Sequence, residues 1–92
     1  MKPNFTLLIQ MYQMEGFVAL GKVKNPVTDE LSRSQEHASW IIDLLAILQE
    51  KTQGNLEASE SRLLDETLNT LRLNFVEEFG NASAPSSSGN LA

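Results

Sequence analysis

The chain of 92 residues contains no cysteine, one histidine, one tryptophan, three prolines and five glycines. Each scarcity removes a class of protein. Without cysteine there is no disulfide framework and no zinc site built on thiolates, and a single domain of this length stands near the size at which one core supplies only a few kcal/mol of net stability. Oligomerisation is the remaining general route to more. Basic residues are also few: 7 Lys and Arg stand against 12 Asp and Glu, a net charge of −5, which disfavours nucleic acid or an anionic membrane surface as the main partner.

Long apolar runs are missing as well. The most apolar stretch, Phe5 to Leu20, spans about 24 Å as a helix at ~1.5 Å per residue, short of the ~30 Å of a bilayer core. Thr6, Gln10 and Gln13 interrupt it. We expect no membrane span. Lys2 is followed by Pro3, and no small-residue cleavage site follows the apolar stretch, so the chain reads as cytoplasmic rather than as led by a signal peptide. Glycine-rich phosphate loops, Gly-x-Ser-x-Gly, His-Glu-x-x-His and calcium-loop spacings are lacking. Asn4-Phe5-Thr6 and Asn81-Ala82-Ser83 match a glycosylation triplet, a pattern frequent by chance. These absences argue against an enzyme and imply no cofactor and no metal.

What is there is helical periodicity around one hinge, Lys51-Thr52-Gln53-Gly54-Asn55-Leu56. Lys51 offsets the negative end of a helix closing near Thr52, and Gly54 suits the left-handed residue beyond it. Asn55, Glu57 or Ser59 then caps a helix over about Ala58 to Phe79. So short a link makes the two helices antiparallel. The later helix carries Leu64, Leu68, Leu71, Phe75 and Phe79 at spacings of 4, 3, 4 and 4, a helical stripe that Gly80 and Asn81 terminate. The earlier one, capped by Ser32 or Ser34, presents Ala38, Ile41, Leu45 and Leu48 on one face, widened by Leu44. Glu36, Ser39, Asp43, Ala46 and Glu50 are expected on the opposite, solvated face. Trp40 and Ile47 lie beside that solvated face, a second apolar seam.

Pro3-Asn4 starts the first helix and Gly21 ends it. Its apolar side chains cover most of its circumference, so it must be covered on more than one side. Gly21 to Arg33 is a long connection in which Asn25-Pro26 forces a turn. Thirteen residues without regular structure are expected to pack through Val23, Val27 and Leu31, a binding loop being the alternative. The expected fold is all-α, with three helices: a C-terminal antiparallel hairpin, residues 34 to 79, and the apolar N-terminal helix packed across it. Residues 1–80 form the single domain, and 81–92 a disordered Ser/Gly/Pro-rich tail.

Leu20-Gly21…Pro26-Val27-Thr28, Ile42-Asp43-Leu44-Leu45…Leu48, the Lys-Thr-x-Gly-Asn-Leu hinge at 51–56, and Leu63-Leu64…Leu71-Arg72…Phe75-Val76 together resemble a bacterial family catalogued only as a domain of unknown function. The likeness runs over about residues 5 to 78, and the hinge is its most specific part. It implies a short helical fold and a bacterial origin, not an activity. The chain departs from the family in having Glu57, not Ser or Thr, directly after Leu56.

Two polar residues remain as candidates for chemistry. His37 lacks a second ligand, since Trp40 and Ile41 occupy i+3 and i+4. It is expected as a partly exposed helix residue. Glu15 projects into the apolar arc of the first helix, where an unpaired carboxylate is costly, so it should reach solvent or a cation such as Arg72. An enzyme using Glu15 and His37 across a subunit interface is the remote version. Asp65-Glu66 and Glu77-Glu78 are adjacent charges about 100° apart on a helix, hence no ready-made carboxylate pair.

The leading expectation is an interaction or scaffolding protein acting as a homo-oligomer, most simply a dimer, with Met11, Met14, Phe17, Trp40 and Ile47 at the contact. The alternative is a helical groove that binds a foreign protein helix or a lipid-like ligand.

Overall fold

The computed structural model describes residues 2–80. The tail expected at 81–92 lies outside them. Three helices follow in order, α1 (Phe5–Ala19), α2 (Gln35–Lys51) and α3 (Ala58–Phe79), each packed against both others. This is the expected all-α arrangement, a hairpin with the apolar first helix laid against it.

Each boundary has a local cause. Asn4 caps α1 by accepting from the N–H of Leu7 at 2.8 Å, and Ser34 caps α2 by accepting from the N–H of His37 at 3.1 Å. At the end of α1, Gly21 takes φ 78°. The N–H of Lys22 then donates to Phe17 O at 2.9 Å and that of Gly21 to Val18 O at 3.0 Å, the paired bonds that satisfy the last carbonyls of a helix ended by a left-handed residue. In the hinge, Thr52 donates through Oγ1 to Leu48 O at 2.7 Å, and Gly54 turns the chain at φ 83°. Glu57 caps α3 in a reciprocal box with Glu60, whose carboxylate accepts from the Glu57 N–H at 2.8 Å. The acidic residue after Leu56 therefore fills the position where a hydroxyl would be usual.

The core lies where the three helices meet. Ile9, Ala19 and Leu20 come from the α1 segment, Ala38, Ile41, Ile42 and Leu45 from α2, and Leu64, Leu68, Leu71 and Phe75 from α3. Phe79 extends the α3 stripe, tilted against Phe75 with ring centroids 4.9 Å apart. The buried side of α2 is broader than expected. Ile42 is buried, and Ala46, expected on the wet face, packs against the core. The reason is that α2 packs against both other helices, so its apolar arc extends toward α3 as well as α1.

Gly16 is buried in α1 between Leu71 of α3 and Ile41 of α2. A Cβ there would lie 2.8 Å from Leu71 Cδ2 and 3.5 Å from Ile41 Cγ2. Glycine at this position lets the α1 backbone sit down on its neighbours.

The connection from α1 to α2 is held by polar groups, contrary to expectation. Val23 and Leu31 are exposed and Val27 is 89% exposed. The loop instead folds on itself: Asn25 accepts from the Val27 N–H through Oδ1 at 2.8 Å, and the Asn25 N–H donates to Glu30 O at 2.9 Å. Its two ends are clasped to the last turn of α3, where Glu78 meets Lys22 Nζ at 2.7 Å and Arg33 Nη1 at 2.9 Å. Arg33 also covers the Phe79 ring, 5.6 Å from its centroid, a cation–π contact.

Candidate functional site

α1 and α2 run antiparallel, because the loop returns the Ser34 N–H to Ala19 O at 2.9 Å. Leu8 of α1 then lines a shallow groove with Leu44, Leu45 and Leu48 of α2, with Tyr12 between them. One end of this α1/α2 seam carries a polar contact: His37 Nε2 meets Glu15 Oε2 at 2.8 Å, and the His37 ring stacks on Trp40 with centroids 5.5 Å apart and planes inclined by 23°. Glu15 thus pairs with His37, not with Arg72. Helical spacing gives the direction of a side chain but not which residue of the next helix stands level with it, and that register decided the partner.

The pair unites the two polar candidates within one chain rather than across two. A carboxylate on an imidazole fixes the ring's orientation. Both side chains remain nearly half exposed, and the described residues include no cluster of three His, Asp or Glu side chains able to hold a metal. The arrangement is that of a polar clasp bordering an apolar surface.

That surface contains most of the expected contact residues. Met11 is 61%, Met14 52%, Trp40 53% and Ile47 46% exposed. Met11 lies four residues before Glu15 and Trp40 three after His37. In an antiparallel pair both steps go the same way, so Met11 and Trp40 fall level. Leu8, 38% exposed, continues the face one turn further, and Leu44 joins it to Ile47. Phe17 is placed differently. It is partly buried against the core and borders a depression with Gln10, Gln13 and Met14, so that Met14 marks the edge of the α1/α2 face. The signal that would have added Leu8, and separated Phe17, is the 3.6-residue period itself: Leu8 and Phe17 are nine residues apart, hence about half a turn round.

A further cluster of charges lies elsewhere, at the loop clasp. Hydrogen bonds from Lys22 and Arg33 hold the Glu78 carboxyl below its ordinary value, and the Glu78 contact raises Lys22 above its own. These charges fasten the connection, whereas on the α1/α2 face Asp43, three residues after Trp40 and four before Ile47, borders the exposed apolar pair.

Fold and surface together define a small three-helix protein whose first two helices share an exposed apolar face. The chain belongs to a family described as a domain of unknown function, DUF1844, whose model matches residues 2–77. No curated protein and no solved structure matches it. No helix among the described residues is long and apolar enough to cross a membrane.

Proposed function

We propose that the chain is a small helical interaction module that associates with a second copy of itself through the α1/α2 face. What carries the reading is one observation: four large apolar side chains, Met11, Met14, Trp40 and Ile47, stand about half exposed or more on adjacent helices. Leu8 adjoins them. Scattered exposed leucines need no explanation, but a continuous apolar strip on a monomer of this size does. Self-association also supplies the stability that a short cysteine-free chain lacks. Neither an enzymatic role nor a cofactor is part of this reading, and with a net charge of −5 neither is nucleic acid. We place the protein in the cytoplasm, where a chain without thiols loses nothing to a reducing environment.

The groove between Leu8 and Leu44 has a volume of about 190 Å³, below the ~300–1,000 Å³ usual for small-molecule sites. That disfavours a lipid-like ligand and leaves the face as a flat protein-binding surface.

Sedimentation equilibrium of the full chain over a concentration range tests the proposal. The expected result is a dimer, and Trp40→Asp is expected to shift it to monomer with helical circular dichroism retained, because the side chain is half exposed within one copy. A folded monomer for the unaltered chain would overturn self-association and assign the face to a different protein. A Trp40→Asp variant that remains a full dimer would move the contact off this face.

A further inference from the structure

Resting on that self-association, we infer that the two copies dock with their second helices antiparallel, so that Glu36 of each meets the partner subunit's Lys51. The α1/α2 face is polarised along its length. Glu15 and Glu36 lie at one end, by the start of α2, and Lys51 lies at the other, in its last turn. Lys2, two residues before the Asn4 cap, stands at the Lys51 end because α1 runs opposite to α2. At 100° per residue, Glu36, Trp40, Ile47 and Lys51 share about 60° of the circumference of α2. The two charges therefore bracket the exposed apolar pair on a single strip.

Neither charge is paired among the described residues. Glu36 and Lys51 are both exposed, and neither enters an ion pair among the described residues. Where an intrahelical partner would stand, four residues on from Glu36 or four back from Lys51, are Trp40 and Ile47. The remaining nearby acid, Glu50, projects about 100° away from Lys51.

A two-fold dimer presses one patch onto its own copy. If the two α2 helices ran parallel across the interface, Glu36 would face Glu36 and Lys51 would face Lys51. Antiparallel docking replaces both like-charge meetings with two unlike ones, and unfavourable juxtaposition at an interface rim is what fixes register. Charge complementarity thus selects a second copy in one orientation. Apolar area alone would not distinguish the two.

The test uses two substitutions and one distance. Lys51→Glu creates two repulsive meetings in the antiparallel dimer, and we expect its dissociation constant to rise about tenfold at low salt, equivalent to ~1.4 kcal/mol, with the difference shrinking at high salt as the charges are screened. The exchanged variant, Glu36→Lys with Lys51→Glu, should return to within about threefold of the original chain. The absence of cysteine makes a single spin label simple to place. On Gln53→Cys, at the hinge, antiparallel copies hold the labels more than about 25 Å apart, since Glu36 and Lys51 alone are separated by ~22 Å of helix, whereas parallel copies bring them within about 15 Å. An unchanged constant for Lys51→Glu together with a short label distance would overturn the antiparallel inference while leaving self-association intact. A monomeric unaltered chain would remove both.

Discussion

Gly16 gives the sharpest test of how α1 is seated. Adding a methyl group there has two opposed effects. Alanine is favoured over glycine inside a helix by about 1 kcal/mol, yet its Cβ would stand 2.8 Å from Leu71 Cδ2 and 3.2 Å from Leu71 Cδ1. Leu71 is completely buried, so its methyls move only by displacing other core atoms, and overpacking of this kind costs about 1–3 kcal/mol. The balance for Gly16→Ala is a net loss of roughly 0–2 kcal/mol from these two ranges. Leu71→Ala alone costs about 2–5 kcal/mol through its cavity. In that background the obstructing methyls are gone, and Gly16→Ala should gain about 1 kcal/mol from helix propensity alone. Gly16→Ala therefore reverses sign between the two backgrounds, with a coupling of about 1–3 kcal/mol. Urea unfolding followed by far-ultraviolet circular dichroism measures it, at one protein concentration and with the same added sucrose in all four samples to keep the double variant folded. Equal effects of Gly16→Ala in both backgrounds, within the ~0.3–0.5 kcal/mol scatter of independent sites, would refute the close approach.

The hydroxyl of Thr67 is buried with no hydrogen-bond partner among the described residues. Thr67→Val should raise stability by up to about 1 kcal/mol by removing an unpaid desolvation, and a loss measured by urea unfolding would show that the hydroxyl has a partner. Glu78 should contribute to the acid limb of stability. Because its folded value is lowered, its contribution is complete above the ordinary 4.5 and fades as pH falls through the lowered value. The raised Lys22 loses its share only as pH climbs through a value above 10.5. Glu78→Gln should flatten unfolding midpoints plotted against pH below about 5, and profiles that stay parallel to those of the unaltered chain would show that the clasp carries no such linkage.

Which features the sequence revealed follows from how local their causes are. The three helices, the Gly21 stop and the α3 stripe from Leu64 to Phe79 depend on neighbours within one or two turns, and all are found as read. The pairing of Glu15 with His37 depends on the register between α1 and α2, which no period contains. Val23, Val27 and Leu31 were expected beneath the connection because they are apolar. The connection is instead fixed by Lys22 and Arg33 meeting on Glu78, forty-five and more residues away in sequence. Of the candidate contact residues, Met11, Met14, Trp40 and Ile47 are exposed where spacing put them. Phe17 separates from Met11, Trp40 and Ile47 because it packs partly against the core, a fact of tertiary packing.

The clasp at Glu78 has a consequence for synthesis. α1 is made first and is the most apolar helix, but Leu71 and Phe75, which close its core, and Glu78, which ties down its connection, come last. At the usual 5–20 residues per second, translation from the end of α1 to the beginning of α3 takes about 2–8 s, long compared with the microseconds needed to form a helix. During that interval α1 has only α2 to lie on, with the side meant for α3 bare. A nascent chain at that stage exposes apolar surface that its finished form buries, and α3 closes it by covering α1 through Leu71 and Phe75 and tying down its connection through Glu78.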